Sequence, residues 1–154
     1  MLAYDRNSPL WKLSHMPVYT ELQDRTTMRL SRLLLVDDNK KFLDMSREFL
    51  ESECDHVIVV GTAGTAEEAL KLIRQARPTL LIVDLAMPDM SGLELTQRVK
   101  QTRPELPVII LTLFDTPRHR QAALEAGADA FVAKASMDSD LIPAIERLSS
   151  SGEC

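Results

Sequence analysis

Five short runs of apolar residues, separated by longer segments of mixed character, constrain this chain more than any other feature. Each run is continuous and lacks the polar–apolar alternation that a half-exposed strand shows. Continuous runs of this length are typical of strands buried on both faces of a parallel sheet. We therefore predict five buried strands, built on Leu33–Val36, Val57–Val60, Leu80–Val83, Val108–Leu111 and Ala130–Val132.

Segments that follow these runs carry apolar residues at helical spacing. One apolar stripe along a segment predicts a helix that packs one face against a sheet. The stripes are Phe42, Met45, Phe49 and Leu50 in the first segment, Ala66, Ala69, Leu70 and Ile73 in the second, and Leu141, Ala144, Ile145 and Leu148 in the last.

Capping signals mark the ends of the predicted helices. Thr65 followed by Glu68 matches a capping box. Ser91 can cap a helix that runs to about Thr102, and Gly127 stands where a helix end favours a left-handed residue. The predicted order is therefore five successive strand–helix units. Right-handed crossovers between them give an α/β fold, a (βα)5 doubly wound parallel sheet with helices on both faces, forming a three-layer sandwich.

The first 30 residues differ from the rest. They show no sustained period of 2 or 3.6 and contain Pro9 and Pro17. A chain of 154 residues fits one compact domain with short additions. We predict an irregular extension over 1–30, the folded domain over 31–149 and a C-terminal tail over 150–154.

Charge and composition exclude several classes of partner. The formal net charge is −5 and the basic residues are scattered, which argues against direct binding of nucleic acid. The longest apolar stretch, Leu106–Phe114, is interrupted by Pro107 and cannot span a bilayer, and no signal peptide is recognisable. Cys54 and Cys154 match no metal-ligand spacing. We expect a cytoplasmic protein with reduced thiols.

Polar residues follow four of the five predicted strands. Asp37 and Asp38 follow the first, Asp84 the third, Thr112 ends the fourth, and Lys134 follows the fifth. Ligands of open parallel sheets bind at this edge. Carboxylates in one crevice raise one another's pKa unless a cation joins them, and oxygen ligands suit Mg²⁺. With a lysine and a hydroxyl to hold phosphoryl oxygens, the set predicts a phosphoryl-transfer site.

Taken singly, each of these residues has an ordinary structural explanation. Asp38 or the following Asn39 can cap the first helix, and Asp84 can form a turn. Thr112 suits a strand, and Lys134 suits a solvated loop. Only their joint occurrence at one edge favours the functional interpretation.

The segments around these residues resemble the response-regulator receiver family of two-component signalling. The resemblance covers about Arg32 to Ser149, and Pro88 and Gly92 stand four and eight residues after Asp84, as in that family. It implies a flavodoxin-like arrangement of the sandwich. The segments that carry it are Leu33–Asn39, Leu80–Gly92, Pro107–Thr112 and Gly127–Lys134.

The resemblance also implies a role for each residue. Asp84 would accept a phosphoryl group from a phosphohistidine on a sensor histidine kinase or a histidine phosphotransfer protein. Phosphorylation would change the surface formed by helix 4, strand 5 and helix 5, where an output partner would bind. The protein would thus be a switch rather than an enzyme. The implied Mg²⁺ ligands are Asp37, Asp38, Asp84 and the carbonyl of Ala86. Thr112 and Lys134 would bind the phosphoryl group. Phe131 would be the aromatic switch, and Ala86 and Phe114 would tune the lifetime of the phosphorylated state.

The chain departs from the family pattern at one position, and two alternative functions stay open. The family usually has proline in a cis bond after the lysine, whereas Ala135 follows Lys134 here, as in receivers joined to helix-turn-helix output domains. A stand-alone receiver is favoured, with the receiver half of such a transcriptional regulator as the alternative. A haloacid-dehalogenase-like phosphatase fits poorly, because its nucleophile precedes the acidic pair and an acid follows two residues later, where this chain has Ala86.

Overall fold

The computed structural model describes residues 30–149 and 154. Its five strands form one parallel sheet in the order β2-β1-β3-β4-β5, which confirms the predicted α/β fold. The elements are β1 Ser31–Val36, α1 Lys40–Glu53, β2 Val57–Ala63, α2 Ala66–Ala76, β3 Leu80–Val83, α3 Gly92–Thr102, β4 Val108–Thr112, α4 Pro117–Ala126, β5 Ala130–Ala133, a 3₁₀ turn Lys134–Ser136, and α5 Met137–Leu148.

Both faces of the sheet are covered, which explains why the apolar runs are continuous. In β1, Leu33 and Leu35 pack with α1 and α5. Leu34 and Val36 pack on the opposite face with α2, α3 and α4. All four side chains are almost completely buried. Burying a leucine or valine stabilises a fold by roughly 1.5–3 kcal/mol relative to exposing it. The helices on both faces therefore contribute to holding β1, and the residues at its end, in place.

The apolar stripe predicted for α1 is confirmed at Phe42, Phe49 and Leu50, which pack in or against the core, and is wrong at Met45. Met45 is 53% exposed, whereas Leu43, Ser46 and Leu50 form the buried face. These three residues follow the spacing i, i+3 and i+7 of a helix face. The apolar pattern included Leu50 but missed the rest of this face, because a serine occupies its middle position.

The predicted capping residues lie at the helix ends. The Thr65 hydroxyl accepts a hydrogen bond from the Glu68 N–H at 3.1 Å, and Ser91 caps α3 in the same way. The Glu68 carboxylate accepts from the Gly64 N–H rather than from that of Thr65, so the capping box is shifted by one residue. Gly127 ends α4 with φ of +100°, a conformation that glycine adopts without the steric cost of a Cβ.

The cysteines form a disulfide, so the prediction of reduced thiols was wrong for this structure. Cys54 is bonded to Cys154, with their Cα atoms 4.5 Å apart. The Ser149 hydroxyl forms a hydrogen bond with the Ser31 hydroxyl at the start of β1. The Ser31 N–H donates a hydrogen bond to the carbonyl of His56, two residues beyond Cys54. The end of α5 therefore returns to the turn after α1, a proximity that spacing along the chain could not indicate.

The predicted extension, apart from Leu30, and residues 150–153 of the predicted tail lie outside the described residues. Within the described part, no helix combines the length and apolar character needed to cross a membrane.

Candidate functional site

The register of the two central strands brings two aspartates side by side. Val36 of β1 pairs with Val83 of β3, and each is followed by an aspartate, Asp37 or Asp84. The Asp84 N–H donates to the Val36 carbonyl at 2.9 Å, which continues the pairing one residue past the strand. The chain leaves β1 for β2 on one side and returns to β3 on the other. The two carboxylates thus lie at the switch point of the sheet, where ligands of such folds bind.

Three carboxylates converge at this edge. Ligand oxygens of Asp37, Asp38 and Asp84 all lie within 4.8 Å of one another. Asp37 and Asp84 are buried and Asp38 is exposed. Burial raises the pKa of Asp37, hydrogen bonds from Lys134 and the Asn39 N–H oppose this, and the Asp84 carboxylate raises it further. One lysine against three carboxylates leaves the cluster short of positive charge, so the oxygen donor set fits a hard divalent cation such as Mg²⁺.

Lys134 enters the cluster from the 3₁₀ turn that follows β5. Its Nζ lies 2.6 Å from Asp37 Oδ2 and 3.5 Å from Asp84 Oδ2. The same atom lies 4.0 Å from the centre of the Phe42 ring, at the start of α1. The peptide bond to Ala135 is trans, as are all the peptide bonds that the structure describes. The lysine therefore reaches both buried aspartates without the proline and cis bond usual in the resembled family.

The two oxygens of Asp84 have different surroundings. Oδ1 accepts a hydrogen bond from the Leu85 N–H at 2.8 Å, whereas Oδ2 faces the Lys134 ammonium. Thr112, at the end of neighbouring β4, is fully buried, and its hydroxyl oxygen accepts from the Phe114 N–H at 3.3 Å. Because that oxygen is the acceptor, the hydroxyl hydrogen of Thr112 is available for another group.

Phe131 and Phe114, predicted as switch and lifetime residues, lie outside this carboxylate cluster. Phe131 is half-buried, and the Arg120 guanidinium lies 4.7 Å from its ring centre. Arg120 also pairs with Asp115 at 2.6 Å, so one arginine joins α4, β5 and the loop before α4. This pairing lowers the pKa of Asp115. Phe114 is 48% exposed and stacks on His119. Ala86 is exposed on the β3–α3 loop.

Asp89, which the sequence did not single out, ties the loop after Asp84 to another element. Its two carboxylate oxygens accept hydrogen bonds from the backbone N–H groups of Ala66 and Glu67, at 3.0 and 3.1 Å. These bonds lower the pKa of Asp89. The loop that carries Ala86 is thereby fixed to the N-terminus of α2, whose positive end favours a carboxylate.

Comparison with known proteins agrees with this arrangement. The model of the response regulator receiver domain family matches residues 33–146. Response regulator protein VraR of Staphylococcus aureus is 32% identical over 118 residues, covering 77% of this chain and 56% of the relative. The chain thus spans little more than half the length of the curated relatives that it matches.

Solved structures show the same fold. A CheY-like receiver domain protein from Methanospirillum hungatei JF-1 superposes with a TM-score of 0.70 at 34% identity, covering 79% of this chain and 96% of that one. A LuxR-family two-component response regulator from Aurantimonas sp. SI85-9A1 gives a TM-score of 0.73 at 30% identity, covering 79% and 86%. From its sheet order, its carboxylate cluster and these matches, the chain belongs to the response regulator receiver domain family of two-component systems.

Proposed function

We propose that this chain accepts a phosphoryl group on Asp84 from a phosphohistidine of a sensor histidine kinase or histidine phosphotransfer protein, and that it acts as a switch rather than as an enzyme. The observation that carries this proposal is the register of β1 and β3, which gathers Asp37, Asp38 and Asp84 around one point. Lys134 reaches the same point from the 3₁₀ turn after β5. A buried carboxylate beside a lysine and other carboxylates suits a nucleophile for phosphorus.

The proposed transfer uses Oδ2 of Asp84, the oxygen that faces the Lys134 ammonium. Oδ2 attacks phosphorus, the bond from phosphorus to the imidazole nitrogen breaks, and the electron pair of that bond stays on the departing imidazole. Oδ1 is held by the Leu85 N–H, which fixes the orientation of the carboxylate. Lys134 neutralises the phosphoryl oxygens, and the Thr112 hydroxyl donates to one of them. Holding the reactants in line removes much of the entropic cost of the reaction.

Mg²⁺ is part of this proposal. The residues that would hold it are Asp37, Asp38, Asp84 and the carbonyl of Ala86. When bound, it supplies positive charge that lets a phosphoryl group approach a cluster of carboxylates. Lys134 would then no longer be needed to neutralise Asp37 and Asp84 and would be available to the phosphoryl group.

Phosphorylation is expected to require Mg²⁺. Incubation with acetyl phosphate and Mg²⁺ should add one phosphoryl group per chain, measured by intact mass spectrometry. The same incubation with excess chelator should add none, because three carboxylates then repel the donor. Addition of Mg²⁺ beyond the chelator should restore labelling. Full labelling in chelator would show that the carboxylate cluster does not act through a cation.

The lifetime of the phosphorylated state is proposed to depend on Ala86 and Phe114. Hydrolysis needs a water held in line with phosphorus, and neither side chain offers a hydrogen bond to orient one. We therefore expect slow self-dephosphorylation, ended by a partner phosphatase or by back-transfer. The double change Ala86→Asn with Phe114→Glu should shorten the lifetime about tenfold, a barrier change of about 1.4 kcal/mol.

Decay of the purified phosphoprotein after removal of the donor measures this lifetime. Leu113→Glu is the matched control, since it places the same charge on a neighbouring side chain that is 75% exposed. A double variant that decays no faster than the parent, or no faster than this control, would remove the roles assigned to Ala86 and Phe114.

The output is proposed to pass through the face formed by α4, β5 and α5 to a protein partner. Arg120 and Phe131 lie on this face. The stand-alone arrangement remains a prediction. The greater length of the curated relatives and the similarity to a DNA-binding response regulator of the LuxR family favour the alternative, the receiver part of a DNA-binding regulator. The reading frame after the codon for Cys154 decides between them: a stop codon supports the first, and a helix-turn-helix sequence the second. Cytoplasmic location belongs to the same proposal, although disulfides are more typical of oxidising compartments.

A further inference from the structure

Phe42 places its aromatic ring over the ammonium of Lys134. The Lys134 Nζ lies 4.0 Å from the centre of the ring, and a cation within about 6 Å of a ring centre is attracted to the electron-rich face of the ring. The Lys134 side chain is 11% exposed, and the attraction is stronger where water is largely excluded. The contact is therefore a cation–π interaction in a mostly buried setting.

Hydrogen bonds fix the backbone of Phe42 relative to the carboxylate cluster. The Asn39 side chain accepts from the Phe42 N–H at 3.1 Å, and the Asn39 N–H donates to Asp37 Oδ1 at 2.8 Å. The other oxygen of Asp37, Oδ2, lies 2.6 Å from the Lys134 Nζ. These four residues form a closed cycle of contacts, so the cap at the start of α1 also sets where the aromatic ring meets the lysine.

The aromatic ring differs in kind from the other partners of the lysine. Among the described residues, the Lys134 ammonium contacts Asp37, Asp84 and the ring of Phe42. In the function proposed above, both aspartates are ligands of Mg²⁺ and share their charge with the metal. A lysine is a point charge on a flexible stem, and it keeps one position only where contacts hold it. Phe42 is the partner whose contact with the lysine does not compete with the metal.

We propose that Phe42 is a positioning residue for phosphoryl transfer, which holds the Lys134 ammonium beside Asp84 while a phosphoryl group enters. This inference rests on the proposed function and adds a residue to it. Phe42 acts through Lys134 and takes no part in the exchange of bonds. Because the attraction to a ring face requires no hydrogen-bond direction, the ammonium can turn from Asp37 toward phosphoryl oxygens without leaving the ring.

Apolar packing is the other explanation of Phe42. The side chain is half-buried and packs against the core cluster that includes Leu43 and Leu50. Another apolar side chain of similar size would fill that role nearly as well, whereas attraction of a cation needs the electron-rich face of an aromatic ring. The two explanations therefore predict different responses to a change in ring electronics at nearly constant shape.

Replacing Phe42 with trifluorophenylalanine tests the proposal, because fluorine withdraws electron density from the ring face and changes the ring shape little. The rate of labelling by acetyl phosphate with Mg²⁺ should fall about tenfold, as it should for Phe42→Leu. Phe42→Tyr, which retains the ring face, should label at close to the parent rate. Phe49 is the matched control, since it is half-buried on the same helix, packs against the same core cluster and has no cation over its ring among the described residues. Trifluorophenylalanine in place of Phe49 should leave the rate unchanged.

Urea unfolding in excess chelator provides a measurement that needs neither Mg²⁺ nor a phosphoryl donor. Trifluorophenylalanine in place of Phe42 should lower the unfolding midpoint more in the parent than in Lys134→Met, because the methionine presents no charge to the ring. The difference between the two shifts measures the coupling between the two side chains.

The outcomes separate this inference from the function on which it rests. A parent that gains no phosphoryl group would contradict the proposed function and this inference with it. If the parent is labelled but the fluorinated ring at Phe42 slows labelling no more than the same change at Phe49, the role of Phe42 is overturned while the proposed function stands. Equal midpoint shifts in the parent and in Lys134→Met would overturn that role as well.

Discussion

Replacing Gly92 with alanine is expected to destabilise the domain and to slow phosphorylation. A Cβ at this position would lie 2.0 Å from the Asp84 carbonyl oxygen and 3.0 Å from the Cα of Leu85. Both neighbours are backbone atoms and cannot rotate away. The Gly92 N–H also donates to the Leu85 carbonyl at 2.8 Å, which holds the start of α3 against the segment that carries Asp84. The alanine must therefore push α3 and Asp84 apart.

The expected cost follows from this overlap. Overpacking in a well-packed region costs about 1–3 kcal/mol, occasionally more, and we expect Gly92→Ala to reach about 3 kcal/mol because the clash is with backbone. Urea unfolding measures the change in the free energy of unfolding. Labelling by acetyl phosphate should slow at least tenfold, since misplacement by about 1 Å can cost a hundredfold in rate.

Gly64 offers a matched control for this substitution. A Cβ there would lie 3.9 Å from the nearest atom, the carbonyl oxygen of Asp37, which is an ordinary contact. Gly64→Ala should therefore leave stability and labelling close to those of the parent. If Gly92→Ala behaves like Gly64→Ala in both measurements, the close packing of α3 on Asp84 is needed neither for stability nor for phosphorylation.

The fold and the centre of the site could be predicted from sequence for a definite physical reason. Strands buried on both faces must be apolar throughout, so Leu80–Val83 and its counterparts stand out. Polar residues directly after them must then lie at the carboxyl edge of the sheet. Asp37, Asp84 and Lys134 converge there, as the distances of 2.6 and 3.5 Å from the lysine show.

The supporting contacts could not be predicted, because they join residues that are distant in sequence. Asp89 caps α2 from the loop after β3, and no local pattern indicates which helix a loop carboxylate will reach. Phe42 over Lys134 and Arg120 over Phe131 depend likewise on how helices pack on the sheet.

The placement of Met45 failed for a different reason. An apolar side chain at helical spacing was expected to face the core, yet Ser46 takes that position and Met45 is exposed. Apolar periodicity predicts that a helix has a buried face, but it predicts less well which residues lie at the centre of that face. This holds particularly when a small polar residue is tolerated in the buried face.

The identity of the phosphoacceptor is the central claim, and its test is the mass of the chain after incubation with acetyl phosphate and Mg²⁺. The parent should gain one phosphoryl group, and peptide mapping should place it on Asp84. Asp84→Asn should gain none, because an amide is not a nucleophile for phosphorus under these conditions. Asp44→Asn, which makes the same change on the exposed face of α1, should label like the parent. Equal labelling of Asp84→Asn, or a phosphoryl group mapped to another residue of the parent, would contradict the assignment of the site.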